Sequence, residues 1–361
     1  MTVDDLIEKS RIEPRPYQKR VINNTLKHFL DDIGSVMIES PTGSGKTVMG
    51  LSICKLLQLS KGLSVGWVAM RRNLLAQAQQ ENHDMGINAN IEYISMFEQN
   101  PPKVDLLVID EAQHDATDSC SHLHNSIKPK FILGLSATPF RADRAKLCFA
   151  KIVKDAGLRM LIREGWLAQF DHYTIPEWSP EKVAQHYLNS PDKWGKTIMF
   201  FHTLKDCFKA QECLAEKGIS VDVVTGSSDR ETQIANFEQD VTKVLINCMV
   251  LTEGFDCPSI QTAFVRPSSK GVTIQMAGRA FRKFPGLPVK NIVQCRGTPW
   301  PFTKSADPIY QYVWKEDFWY GLQTNENAAL ARNVVLHSIA KIETKLPSLL
   351  TDKKKKRNTF R

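Results

Sequence analysis

Ser35-Val-Met-Ile-Glu39 runs straight into Ser40-Pro-Thr-Gly-Ser-Gly-Lys-Thr47, and the fold turns on how this stretch is read. A short apolar run ends in a loop carrying Gly43 and Gly45, and a helical pattern opens at Lys46. Glycines let successive backbone N–H groups curl around phosphate oxygens at the positive N-terminus of a helix. Thr42 and Ser44 complete that cradle, Lys46 is placed to reach the terminal phosphates, and the Thr47 hydroxyl is a ligand for Mg²⁺. The strict form of such a loop has glycine where Ser40 stands, so this is the relaxed form. A plain Gly/Ser turn with an incidental lysine is the bland alternative. The strand–loop–helix setting argues against it.

Outward from this loop, short apolar runs alternate with helical patterns. Val21, Ile22, Leu26, Phe29 and Leu30 recur at helical spacing upstream. Strands are expected at 35–39, 65–69, 106–110 and 131–135, and again at 197–201, 220–224, 244–248, 261–265 and 291–294. Such alternation predicts an α/β fold of two lobes, each a mainly parallel sheet flanked by helices. The expected division is an N-terminal lobe over 1–170, a linker over 171–196 marked by Pro176, Pro180 and Pro191, and a second lobe over 197–300. An aromatic-rich extension over 301–350 and a basic tail over 351–361 follow. The stripe from Tyr310 to Tyr320 reads as a terminal helix docked on a core, with base stacking as the less ordinary alternative.

At 361 residues and 42% apolar content, the chain can bury real cores, which excludes disorder and small disulfide scaffolds. The formal charge is +8, but Lys353 to Arg357 lie in a tail that holds most of it, so charge alone says little about nucleic acid. That run reads equally as a phosphate-holding patch, a solubilising tail or, in a eukaryotic or viral setting, a nuclear import signal. The eight cysteines form no C-x-x-C pair, and the acidic start fits no signal peptide. With no apolar run long enough for a membrane span, the expectation is a cytoplasmic protein.

Two further patterns carry chemistry. Asp110 and Glu111 close the apolar run Leu106-Leu-Val-Ile109, which places both carboxylates at the carboxyl end of a parallel strand, where such sheets bind ligands. Asp110 there suits Mg²⁺, and Glu111 can take a proton from attacking water. Arg279 and Arg282 are three apart and so share a helical face. Alone they would read as a basic surface helix.

Taken together, these patterns resemble the superfamily 2 helicases of the DEAD/DEAH-box type, with the box written here as Asp110-Glu-Ala-Gln113-His114. Upstream, Arg15-Pro-Tyr-Gln18 is similar to the family's adenine-reading Q motif, which implies that Gln18 reads the base edge and Arg15 stacks on it. Ser136-Ala-Thr138-Pro139 is similar to motif III, which couples the ATP site to lobe movement together with Gln113 and His114. Thr252-Glu-Gly254-Phe-Asp256-Cys-Pro258 looks like motif V, placing Gly254 toward the γ-phosphate and Asp256 toward the ribose. Gln275-Met-Ala-Gly-Arg279-Ala-Phe-Arg282 resembles motif VI, whose arginines act as fingers on the transferring phosphoryl group. Many box helicases have Thr-Asp where this chain has Cys248-Met249. That wording fits the branch of RadD-like, RecG-like and UvrB-like DNA proteins and type III restriction motor subunits, without the cysteine-rich zinc module of RadD-like proteins.

The resemblance implies two tandem RecA-like lobes, ATP and Mg²⁺ as cofactors, nucleic acid as partner with DNA preferred to RNA, and ATP hydrolysis that drives movement along a strand. An RNA helicase is the neighbouring alternative. A P-loop kinase or a nucleotide switch without motor activity are alternatives of a different class, and the paired arginines weigh against both.

Overall fold

The computed structural model describes residues 2–114, 117–137, 149–248, 250–251 and 255–322. In the first lobe the elements run α1 (Val3–Glu8), α2 (Pro16–Leu30), β1 (Ser35–Glu39), α3 (Lys46–Lys61), β2 (Val65–Ala69), α4 (Arg72–Asp84), β3 (Ile91–Ser95), β4 (Leu106–Asp110), α5 (Asp118–Ile127), β5 (Phe131–Ser136) and β6 (Lys151–Val153). The six strands pair in the order β3-β2-β4-β5-β1-β6, every pair parallel. The central strands are apolar throughout because helices cover both faces. Val36, Met37 and Ile38 of β1 and Leu106 to Ile109 of β4 are all buried. This order sets β5 between β1 and β4. The loop after β1, the carboxylates ending β4 and Ser136 at the end of β5 therefore share one sheet edge.

From β6 the chain passes through α6 (Leu158–Arg163) into the second lobe: β7 (Gln169–Ile175), α7 (Pro180–Leu188), α8 (Pro191–Trp194), β8 (Thr197–Phe200), α9 (Leu204–Ala215), β9 (Val221–Val224), α10 (Arg230–Glu238), β10 (Val244–Asn247), β11 (Thr262–Phe264), α11 (Lys270–Gly278), β12 (Val289–Cys295), β13 (Gln311–Lys315) and β14 (Phe318–Leu322). Its strands pair as β14-β13-β7-β12-β11-β8-β10-β9, parallel except for the hairpin β13–β14. Among the described residues, no helix is long and apolar enough to cross a membrane.

Two segments differ from the sequence reading. Residues 171–196, expected as a linker, belong to the second lobe: β7 lies inside the sheet, paired with β12 along all seven residues. The prolines misled because Pro180 and Pro191 start helices rather than break them, each sitting in a first turn where a missing N–H costs nothing. The aromatic stripe is a β-hairpin, not a helix. Tyr312 stacks on Tyr173 of β7 with centroids 4.7 Å apart, and Trp319 meets Tyr173 edge-on at 5.1 Å. Lys193 lies 4.3 Å from the Tyr173 centroid, inside this cluster. The basic tail lies outside the described residues.

The lobes are not separate bodies. Tyr17, on α2 of the first lobe, is a member of the second lobe's hydrophobic core together with Leu161, Leu167 and Phe281.

Candidate active site

The loop between β1 and α3 is held from below and from the side. Ser40 N–H donates to the Ser136 carbonyl at 3.0 Å, tying the loop to β5. Gly43 and Gly45 take left-handed φ values of 82° and 79°, and no side chain caps α3. A Cβ on Gly45 would stand 2.4 Å from Gln18 Nε2, so only glycine fits there. The Ser44 hydroxyl is buried with no hydrogen-bond partner among the described residues. An uncapped helix start beside an unsatisfied buried hydroxyl is a site made for an anion.

Lys46 opens α3 with its ammonium enclosed by the loop and by charged groups of both lobes. Desolvation draws that ammonium below the usual lysine range, opposed by the charges of Glu111 and Asp110, while Arg279 and Arg282 deepen the fall. Desolvation and the Glu111 charge push the Asp110 carboxyl up to about 7, against the pull of Lys46. Glu111 has φ 53°, a left-handed backbone that costs a non-glycine residue about 1–2 kcal/mol. Its N–H donates to Asp110 Oδ1 at 3.0 Å, which binds the two acids into one unit.

From there a chain of side chains crosses to β5. Gln113 Nε2 donates to Glu111 Oε2 at 3.1 Å, and the Ser136 hydroxyl donates to Gln113 Oε1 at 2.7 Å. The box and the motif III segment are thus joined in the first lobe. Thr138, Gly254 and the side chain of His114 lie outside the described residues.

The second lobe closes over the loop. A Cβ on Gly278 would lie 3.3 Å from the Thr42 Cβ, and Arg282 Cδ lies 3.6 Å from where Gly43 would carry one. Arg279 is buried and donates from Nη1 to the Phe255 carbonyl at 2.6 Å. Arg282 donates from Nε to Asp256 Oδ1 at 2.9 Å. Asp256, expected to face a ribose, is engaged by Arg282 here. Gln275 sits on α11, one turn before Arg279.

The Q-motif residues are placed differently from the expectation of direct base reading. Gln18 Nε2 donates to the Ser44 carbonyl at 2.8 Å, and its Oε1 accepts from Arg15 N–H at 2.8 Å. Both ends of the amide are engaged within the protein. The Arg15 guanidinium lies 5.2 Å over the Trp166 ring and donates to the Tyr17 hydroxyl at 3.0 Å. That hydroxyl donates in turn to Ser44 O at 2.6 Å.

Three residues here escaped the sequence reading: Tyr17, Trp166 and Glu81. Glu81 Oε2 is buried without a hydrogen-bond partner among the described residues. Burial lifts its carboxyl above the usual range, with Arg282 across the cleft and the Thr47 hydroxyl opposing the rise. Tyr17 had a signal in its neighbours Arg15 and Gln18; the other two had none.

A second cleft, of about 400 Å³, opens between the lobes at the N-terminal ends of α4 and α10. Arg72, Asn73, Ser228, Asp229 and Arg230 line it, and Arg71 Nη2 spans the lobes to the Val250 carbonyl at 3.3 Å.

The donor set can be tested against Mg²⁺. Among the described residues, no three His, Cys, Asp or Glu side chains form a metal cage. Mg²⁺ does not require one, since it keeps several waters and takes one or two protein oxygens plus substrate phosphates. Asp110, desolvated and raised toward neutrality, with the Thr47 hydroxyl at the head of α3, fits that pattern.

Comparison with known proteins agrees with this geometry. A family model described as the res subunit of type III restriction enzymes matches residues 11–100, and the helicase conserved C-terminal domain matches residues 179–283. The putative mitochondrial ATP-dependent helicase irc3 of Schizosaccharomyces pombe is 27% identical over 346 residues, covering 78% of this chain and 57% of that protein. The chain thus spans little more than half of that relative's length. In fold it is similar to the DNA-bound type ISP restriction-modification enzyme LlaBIII (TM-score 0.56, 17% identity, 91% of this chain and 30% of that one). It is also similar to Dbp5 of Saccharomyces cerevisiae bound to RNA and ADP BeF3 (TM-score 0.58, 16% identity, 87% and 95%). With two parallel-sheet lobes closing on one phosphate loop and a family model matching each half, the chain belongs to the superfamily 2 helicases.

Proposed function

We propose that the chain is an ATP-driven motor that moves along nucleic acid, acting on DNA. One observation carries the reading: Arg279 and Arg282 of the second lobe stand against the phosphate loop of the first. A kinase or a simple switch has no need of cations delivered by a second lobe. In this reading the loop amides and Lys46 hold the β- and γ-phosphates, and the arginines take up charge that develops on the transferring group. Thr47 and Asp110 hold Mg²⁺, which neutralises phosphate charge when bound. Glu111 accepts the proton of the attacking water, and its link through Gln113 to Ser136 passes the state of the site to the rest of the lobe. The cleft between α4 and α10, with Arg72 and Arg230, lies where a strand crossing both lobes can be held.

The choice of DNA rests on the motif V wording and the restriction-enzyme likeness, and an RNA-bound neighbour of similar score makes the test necessary. ATPase rate is measured against single-stranded DNA, duplex DNA, forked DNA and RNA. DNA is expected to stimulate most. A rate indifferent to all four would sink the motor, and stimulation by RNA alone would move the substrate class.

Glu111→Gln is expected to bind ATP normally while hydrolysis falls below a hundredth of wild type, about the least a general base supplies. Near-normal turnover would remove Glu111 from that role.

A further prediction concerns the basic run Lys353 to Arg357. Truncation after Leu350 is expected to weaken DNA binding at low salt and to flatten the salt dependence by up to ~0.9 in slope for each phosphate no longer held. Basal ATPase should not change. A truncated protein with the full-length slope shows the tail to be a bystander.

A further inference from the structure

Two lysines of the second lobe are buried and point at one short turn. Lys290, near the start of β12, is fully inaccessible, and its Nζ donates to the carbonyls of Pro258 at 2.8 Å and Ile260 at 2.6 Å. Lys196, just before β8, is almost as deeply buried. Its Nζ donates to the Ser259 hydroxyl at 2.9 Å and the Glu238 carbonyl at 3.1 Å, and pairs with Asp240 at 3.0 Å. Both ammonium groups therefore close on residues 258–260, from two different stretches of chain.

Burying an ammonium is a costly way to close a turn. The penalty after relaxation is several kcal/mol per ion, and an apolar side chain of similar volume is often as stable or more so. For Lys290 the acceptors are neutral carbonyls, and burial pushes its ammonium down to about 8, the nearby Cys257 opposing. What such groups supply is direction: donors of fixed length pin particular carbonyls in place.

The pinned turn is continuous with the two residues that hold the arginines. Phe255 offers its carbonyl to Arg279, and Asp256 its carboxylate to Arg282. The Asp256–Arg282 pair is about one-third exposed on each side, so it does not fix its own position by packing. Its position follows from the backbone on which Asp256 rides.

We propose that Lys290 and Lys196 are positioning residues for the arginine pair, setting through the 255–260 segment where Arg279 and Arg282 stand relative to the phosphate loop. The inference rests on the reading that these arginines act on ATP. It extends the site about one turn of chain beyond any residue that touches nucleotide.

Lys290→Met keeps most of the stem and removes the donors. Affinity is measured for ADP and for ADP with aluminium fluoride, a mimic of the transferring phosphoryl group, alongside turnover. Misplacing the arginines should weaken the fluoride complex and lower kcat by about tenfold, within the range a small displacement near chemistry can cause, and leave ADP affinity unchanged. In an Arg279→Ala/Arg282→Ala background the same substitution should add nothing, because its effect passes through the missing side chains. An equal loss in both backgrounds, or an unchanged fluoride complex in the single variant, overturns the proposal. Should thermal melting show that Lys290→Met does not fold, Lys196→Met enters the same cycle with the same two outcomes. If instead the arginine variant alone binds the fluoride complex as well as wild type, the ATP-site reading falls and takes this one with it.

Discussion

Lys46→Ala is expected to reduce ATP turnover to less than about a thousandth of wild type, the upper range for removing one preorganised group from a charged transition state. The effect has two sources. The phosphates lose their only point charge from within the loop, and the protein loses the cation that faces Asp110 and Glu111. The ammonium is largely desolvated where it stands, so water is a poor replacement for it. The remaining acids would then repel the triphosphate they now help to place. ATP affinity should therefore fall together with kcat, unlike the Glu111→Gln case. Retained turnover in a variant that melts like wild type would mean that the loop does not bind the reacting phosphates.

The second large effect is expected at the arginines. Arg279→Ala and Arg282→Ala should each lower kcat by as much as ~10³-fold, as for other arginine fingers, with a much smaller change in ATP affinity. The two need not respond alike. Arg279 is buried and anchored on a backbone carbonyl, whereas Arg282 is shared with the Asp256 carboxylate at the cleft edge. Removing Arg279 also takes a donor from the Phe255 carbonyl, so this variant should lose some thermal stability as well. A variant that mainly raised KM would mark its arginine as a ground-state binding residue.

Much of the scaffold was legible because buried parallel strands write themselves as unbroken apolar runs. Val36 to Ile38 and Leu106 to Ile109 are two such runs, and both are central strands. The strand β7 was hidden by the prolines that follow it, and the hairpin by aromatics that fit a helix face or a strand equally well. In the site, residue types and order were legible, while partnerships were not. Nothing in Gln18 says that its amide will be taken at both ends by Arg15 and Ser44, a pairing that depends on how α2 meets the loop. Asp256 and Arg282 are joined across 26 residues, and no local pattern specifies that distance. Glu111 adopts a left-handed backbone without being glycine, a conformation imposed by its surroundings rather than its own preference.

Tyr17 has a consequence for how the molecule can be taken apart. Its ring, from the first lobe, is buried with the second lobe's core, and its hydroxyl is bonded back to the phosphate loop. A cut in the chain between the lobes would leave each fragment with a wound: a bare aromatic knob on one and an empty socket on the other. Exposing such a side chain costs about 1.5–3 kcal/mol before the socket is counted. The two halves should accordingly aggregate when expressed apart and recover when expressed together. Proteases that nick the crossing between β6 and β7 should yield fragments that stay joined until denatured.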